Sequence, residues 1–280
     1  MAARLVAEDV SCGYEGVPVL EHVGFSVMPG EVCCVLGPNG VGKTTLFRTL
    51  LGTLPPISGR VLLDGRDVAG MRRVDVARKA GYVPQAHSAP FPYTVLEVVE
   101  MGRTSHLSML SSPSREDREL SLQALNVLGV AHLHDRLYTQ VSGGERQMTL
   151  IARALVQQAD MLVMDEPTAN LDFGNQADVL RCVRQLADAG YSVLMTTHSP
   201  DHAFRCADTV VAISGASDAA FGPVEEVLTE ETLGRLYGMR VSIATVDGGD
   251  GGKTRFVVPL ERDGESRRRE AIAAFLRARP

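Results

Sequence analysis

The stretch Gly37-Pro38-Asn39-Gly40-Val41-Gly42-Lys43-Thr44-Thr45 carries the spacing G-x-x-x-x-G-K-[ST]. Phosphate oxygens need several backbone N–H groups converging at close range. Glycines allow that approach by lacking a Cβ, and the N-terminus of a following helix adds partial positive charge. The ammonium of Lys43 is then expected at the β and γ phosphates of a nucleoside triphosphate, with the Thr44 hydroxyl as a ligand for Mg²⁺ and Thr45 in support. Farther along, Met161-Leu-Val-Met-Asp-Glu-Pro167 delivers two carboxylates at the end of an apolar run. Asp165 suits the Mg²⁺ shell, and Glu166 suits a base for an attacking water. Pro167 disfavours helical geometry in the residue before it, which predicts extended backbone at Glu166. An isolated Asp-Glu-Pro also reads as the start of a turn or a helix cap; beside a phosphate loop the catalytic reading is preferred.

A second glycine pair lies in Val141-Ser-Gly-Gly-Glu-Arg-Gln147, ahead of Met148, Ile151, Ala154 and Leu155 at helical spacing. Ser142 and Glu145 form an S-x-x-E capping box, the mark of an ordinary helix start. Two glycines in the first turn sacrifice about 1 kcal/mol each in helix propensity, tolerable where an anion must approach the backbone N–H groups. Ser142, Gly143, Gly144 and Glu145 therefore read as a second phosphate site.

These groups need elements to position them. Val32 to Leu36 is wholly apolar, as expected of a central parallel strand, and it feeds the glycine loop and a helix from Lys43 to Leu51. Met161 to Met164 and Ser192 to Thr197 are further short strands, followed by helices near 174–189 and 200–206, so the core reads as βαβ alternation. Between Gln85 and Ala159 the pattern is helical at Val95 to Met101, Arg115 to Leu128 and Glu145 to Val156, with no convincing strand. Leu5, Val10, Val17, Val19, Phe25 and Val27 alternate with polar residues and glycines as antiparallel strands do, and Gly59 to Asp64 is expected to join them. Val241 to Val246, the turn Asp247-Gly-Gly-Asp-Gly-Gly, and Thr254 to Leu260 predict a hairpin, followed by a charged helix from Gly264 to Arg277.

In this order the motifs resemble the ABC-transporter ATPase family. Val141 to Gln147 is similar to the family signature L-S-G-G-Q, with Val for Leu and Glu145 for Gln. The resemblance runs from about Val10 to Gly238 and implies a P-loop NTPase fold of the ABC-type ATPase: an α/β parallel-sheet core, an N-terminal antiparallel β flank and an inserted helical subdomain. It divides the chain into an ATPase domain at 1–239, with its helical insertion at about 86–159, and a C-terminal hairpin and helix extension at 240–280. By the same resemblance Tyr14 stacks on adenine, Gln85 in Gly81-Tyr-Val-Pro-Gln85 is the Q-loop residue and a metal-shell candidate beside Thr44 and Asp165, and Asp172 ends the D-loop Ala169-Asn-Leu-Asp172. His198 resembles the switch histidine, acting with Glu166 and Lys43 in ATP hydrolysis. Taken singly, Tyr14 and His198 read as readily as structural residues.

The family further implies two copies joined head to tail, each ATP lying between one copy's Lys43 loop and the other's Ser142 helix start. The segments Phe91 to Arg103, Ser112 to Asp117, Leu171 to Gln176 and Leu228 to Gly238 resemble ATPases that serve importers of ferric siderophores, haem, cobalamin and, in some members, molybdate. The implied partners are a multi-span membrane permease, with its coupling helix near Gln85 to Gly102, and indirectly an external substrate-binding protein. Phe91 and Val95 fit that groove and internal packing equally. The implied place is the cytoplasmic face of the cell membrane, as a peripheral subunit. A non-transport ABC ATPase of cofactor assembly or nucleic-acid remodelling is the alternative, and a nucleotide-gated module without turnover a third, disfavoured by Glu166 and His198.

Composition narrows the choice. The 280 residues are 45% hydrophobic and 22% charged, close to the globular average. No apolar run approaches the ~18 residues of a membrane span, and two acids in the first nine residues break any signal-like core. A net charge of -6 argues against a protein that grips nucleic acid. The five cysteines, at 12, 33, 34, 182 and 206, show no C-x-x-C pairing and are expected reduced and mostly buried.

Overall fold

The structure is a computed structural model that describes residues 4–85, 92–107, 111–247 and 253–260. The chain begins with strands β1 (Leu5–Tyr14), β2 (Val17–Val27) and β3 (Val32–Leu36), then helix α1 (Lys43–Leu50), β4 (Ser58–Leu63), β5 (Arg66–Asp67), α2 (Arg73–Ala77) and β6 (Ala80–Val83). The helices α3 (Val95–Glu100), α4 (Arg115–Val127) and α5 (Gly143–Leu155) follow. The core resumes with β7 (Met161–Met164), α6 (Phe173–Asp188), β8 (Ser192–Thr197), α7 (Pro200–Cys206), β9 (Thr209–Gly215) and β10 (Asp218–Pro223). The last described elements are α8 (Val224–Val227), α9 (Glu230–Tyr237), β11 (Val241–Asp247) and β12 (Lys253–Pro259).

Among the described residues the central sheet has the order β10-β9-β3-β8-β7-β6, and β9, β3, β8, β7 and β6 run parallel. Strands β3, β7 and β8 are buried at every position because both faces are covered. Val32, Cys34 and Leu36 point into a core shared with α5, α6 and α7, whereas Cys33 and Val35 point into one shared with α1 and the N-terminal flank. That flank is the antiparallel sheet β2-β1-β4-β5, in which the segment expected at Gly59 to Asp64 pairs with β1. All five cysteines are buried and free. Burial pushes the Cys33 thiol up to about 12, so it is inert at neutral pH.

The helical insertion has its own core of Val95, Leu96, Val99, Leu125, Leu133 and Val141. Helix α5 ties it to the α/β layer: Ala152 and Val156 face the insertion, while Ile151 and Ala154 face the sheet. The expected C-terminal hairpin forms, with Val241 opposite Pro259 and Asp247 opposite Lys253. Its glycine turn at 248–252, the expected helix over 264–277, Phe91 and the part of the insertion at 86–91 and 108–110 lie outside the described residues.

Three strands of the central sheet depart from the sequence reading. The four-residue β6, Ala-Gly-Tyr-Val, is too short and too small-sided for a period to show. Strand β9 contains the apolar run Val210-Val211-Ala212-Ile213, a legible signal that the motif-led reading passed over. Strand β10 is an exposed edge without alternation, held by its hairpin with β9.

Candidate active site

The phosphate loop leaves the sheet at the end of β3. Gly42 sits at φ 114°, a conformation closed to other residues, and a Cβ there would lie 2.8 Å from Val19 Cγ1. It caps α1 without offering a side-chain acceptor, so the first N–H groups of that helix are available to an anion. Lys43 is 6% exposed and folds back on the loop: Nζ donates to Gly37 O (2.8 Å) and Pro38 O (3.1 Å) and lies 3.4 Å from Glu166 Oε1. A pocket of about 350 Å³ opens here, lined by Val19, Asn39, Gly40, Gly42, Lys43, Thr44, Thr45 and Glu166.

The two acids leave β7 in different environments. Asp165 is buried; its Oδ1 accepts from Thr196 Oγ1 at 2.7 Å and its Oδ2 from Thr44 Oγ1 at 3.2 Å. Glu166 does not adopt the extended backbone that Pro167 predicts. Its φ is +44°, the left-handed region, at a cost of about 1–2 kcal/mol for a residue with a Cβ. The strain is held by hydrogen bonds at both ends of the residue. Glu166 N–H donates to Thr196 Oγ1 at 2.8 Å, and its carbonyl accepts from Ala169 N–H at 3.0 Å. The turn brings the carboxylate between Lys43 Nζ, 3.4 Å from one oxygen, and His198 Nδ1, 3.4 Å from the other.

His198 follows β8 and is half exposed. Behind it His202 is buried, with its Nδ1 at 2.9 Å from Thr197 Oγ1 and 3.3 Å from Thr168 Oγ1. Burial, together with the neighbouring His198, pushes its pKa down to about 4, so its ring is neutral at pH 7. Thr196 and His202 were absent from the sequence reading. The only sequence signal is the polar pair Thr196-Thr197 closing an otherwise apolar strand.

The Ser142 helix start lies apart from this pocket, whose lining contains none of residues 141–147. The capping box is complete: Glu145 N–H donates to Ser142 Oγ, and Ser142 N–H donates to Glu145 Oε2 at 2.7 Å. Those bonds hold the Glu145 carboxyl below the usual range. Ser142 and Gly143 are exposed, but Gly144 is buried, and a Cβ on it would come within 2.1 Å of Asn175 Oδ1. Close packing on α6 therefore accounts for Gly144. Asp172 caps α6 through Asn175, accepting from its backbone N–H and its amide, both at 2.8 Å. Tyr14 is 45% exposed outside the pocket lining, its hydroxyl accepting from Arg48 at 3.1 Å. Gln85 is half-buried two residues beyond Val83, whose carbonyl accepts from Asp165 N–H. One chain thus assembles Lys43, Thr44, Asp165, Glu166 and His198. Tyr14, Gln85, Asp172 and Ser142 are not among the residues that line its pocket.

A triphosphate loop, a strand-end acid pair and a helical insertion that begins its last helix with Ser-Gly-Gly define an ATP-binding cassette. Residues 20–169 match the family model described as ABC transporter. An ABC transporter ATP-binding protein of Haemophilus influenzae, uncharacterised, is 41% identical over 233 residues, covering 83% of this chain and 89% of that protein. The ferric enterobactin transport ATP-binding protein FepC of Escherichia coli is 35% identical over 265 residues, 94% of this chain and 97% of FepC. A solved chain from an inward-facing ABC transporter assigned to the metal-chelate type superposes with TM-score 0.83 at 31% identity, covering 93% of this chain and 98% of that one. This chain belongs to the ABC transporter family, as an ATP-binding protein with ATPase activity.

Proposed function

We propose that this chain is the ATP-hydrolysing subunit of an importer that carries a metal chelate, of the ferric-siderophore, haem or cobalamin class. The class is supported by the full-length likeness to FepC and to the metal-chelate type transporter. The observation that carries the enzymatic part is Glu166, whose carboxylate lies 3.4 Å from both Lys43 Nζ and His198 Nδ1 beside the phosphate loop. In this reading Lys43 exchanges its loop carbonyls for β and γ phosphate oxygens, which frees Glu166 to accept a proton from water. His198 holds Glu166 and meets the γ phosphate. Tyr14 stacks on the base, and Gln85 reports the nucleotide's state to the permease.

Mg²⁺ fits the donors present. Thr44 Oγ1 and Asp165 Oδ2 are hard oxygen ligands 3.2 Å apart, with Gln85 as a further candidate. Among the described residues no three His, Cys, Asp or Glu side chains cluster to hold a metal. In this reading the ion is bound through one carboxylate, one hydroxyl and the phosphates of its nucleotide. When bound it would neutralise charge on the β and γ phosphates.

No helix among the described residues is long and apolar enough to cross a membrane. We place the chain at the cytoplasmic face of the cell membrane, peripheral to a multi-span permease that meets an external binding protein. An apolar groove of about 400 Å³, lined by Phe47, Leu51, Val76, Ala77 and Tyr82 with Arg48 and Arg73 beside them, supports docking of a permease helix. Residues 1–239 form the ATPase domain in this reading, and 240–280 an extension. The test is Glu166→Gln in the full chain. Nucleotide binding is expected to survive, while phosphate release falls about 10² to 10⁴-fold; turnover at the wild-type rate would remove Glu166 from catalysis.

A further inference from the structure

The sequence assigns no task to the C-terminal hairpin, yet its contacts lead to the active site. Helix α7 starts two residues after His198 and is gripped from two sides. From inside, His202 is held by Thr197 and by Thr168, the latter two residues beyond Glu166. From outside, Asp201 Oδ1 accepts from Val257 N–H of β12 at 2.9 Å. The hydroxyl of Tyr237, at the end of α9, donates to the carbonyl oxygen of His198 itself at 2.8 Å.

Arg205 completes this outer grip in an unusual way. Its guanidinium carbon is 5.4 Å from the ring centroid of Phe173 and 5.8 Å from that of Phe256. Both lie inside the ~6 Å range of cation–π attraction. Among the described residues no carboxylate is within ion-pair distance of it. Phe256 belongs to β12, and Phe173 opens α6 immediately after Asp172. Phe173 is 75% exposed, with the Arg205 guanidinium over its ring.

We propose that Arg205 is a positioning residue for ATP hydrolysis, joining the C-terminal hairpin to the Asp172 turn and, through α7, to the loop carrying His198. The inference rests on the reading of Glu166 and His198 as the hydrolytic pair. Their side chains are 3.4 Å apart, a separation sensitive to small rotations of the helix that follows His198. Arg205 ties that helix to two rings, one on α6 and one on β12. The planar, delocalised guanidinium suits contact with two rings where the compact, strongly hydrated ammonium of a lysine does not.

The experiment uses the full chain with Arg205→Ala, Arg205→Lys, Phe256→Ala, Phe256→Tyr and the double alanine variant. Steady-state phosphate release is measured beside nucleotide-binding stoichiometry. A contact of this kind predicts a kcat about fivefold lower in Arg205→Ala and Phe256→Ala, with KM for ATP within about twofold of wild type and full binding stoichiometry. The double variant is expected to fall no further than the singles, because both remove one coupling. Phe256→Tyr retains the ring and should retain the rate; Arg205→Lys should behave as the alanine variant. An unchanged kcat in the two single alanine variants overturns the proposal. So does a double variant whose losses multiply to about 25-fold, or a rate loss matched by lost binding capacity, which marks simple unfolding. Glu166→Gln in the same series separates the two levels. If it hydrolyses normally, the assignment of the pair fails. If it is inactive while Arg205→Ala is normal, only the role of Arg205 fails.

Discussion

Glu166 and His202 are two titratable groups near one phosphate loop, and their surroundings give them opposite tasks. Glu166 is partly open, faces Lys43 and His198, and is held in a left-handed turn by the Thr196 hydroxyl. His202 is enclosed and neutral, with its Nδ1 within hydrogen-bond distance of the Thr168 and Thr197 hydroxyls. The charge around it comes from His198, Asp201 and Arg205. The sign of its linkage is fixed by the direction of the shift. The unfolded chain protonates this imidazole near pH 6.5, whereas the folded chain refuses the proton until about pH 4. Its contribution is therefore present in full above about pH 6.5 and is lost as the pH falls toward 4. Between pH 7 and pH 5 the loss amounts to about 2 kcal/mol. His202→Gln removes the titration, so urea unfolding at the two pH values should show a loss smaller by about that amount than in wild type. Equal losses in the two proteins would place the His202 ring outside this linkage. Lys43, Thr44, Asp165 and Glu166 were readable because each belongs to a motif whose spacing is local. Thr196 and His202 were not, since their roles depend on the parallel pairing that sets Met164 beside Met195. Local spacing does not announce a register across two strands.

At the scale of elements, the Ser-Gly-Gly start of α5 combines two demands that one sequence motif had merged. Gly143 is exposed, and a Cβ there would lie 3.2 Å from the terminal methyl Cδ2 of Leu171, a flexible neighbour. Gly144 is pressed against Asn175, the residue that also closes the Asp172 cap of α6. Alanine at the two positions should therefore separate packing from phosphate approach. Gly144→Ala is expected to lower stability by about 1–3 kcal/mol, because α5 must move from α6 or Asn175 must abandon Asp172. Gly143→Ala should leave thermal unfolding unchanged or slightly raised, since alanine favours helix by up to about 1 kcal/mol. It should nonetheless lower ATP turnover if the first-turn N–H groups meet a phosphate. Thermal melts and phosphate release on both variants check this, and a Gly144→Ala protein as stable as wild type would refute the packing account. The apolar strands β3, β7 and β8 and the helices of the insertion were legible from period and length. Strands β6 and β10 were not, because they are stabilised by neighbours in the sheet rather than by their own pattern.

For the molecule as a whole, the decisive feature is a separation. The helix start of Ser142 and Gly143 lines no part of the pocket of Lys43, Thr44 and Glu166, although both have the chemistry of a phosphate site. A single copy leaves the nucleotide with one wall. If two copies pair about a twofold axis, as the family resemblance implies, they would supply the second wall twice, each offering a loop to its partner and a helix start in return. The interface would then contain ligand as well as protein, and association should depend on ATP and reverse when the γ phosphate leaves. Glu166→Gln slows that departure while sparing Lys43, and so should trap the closed form. With ATP and Mg²⁺ this variant is expected to sediment as a dimer of the 30.1 kDa chain, and without nucleotide as a monomer. Adding Ser142→Arg places a bulky cation on the exposed helix start, distant from the chain's own pocket, so nucleotide should still bind while the dimer disappears. A double variant that dimerises as well as Glu166→Gln alone would show that the Ser142 face lies outside the interface. A monomer for Glu166→Gln at saturating ATP would show that one chain encloses its nucleotide unaided.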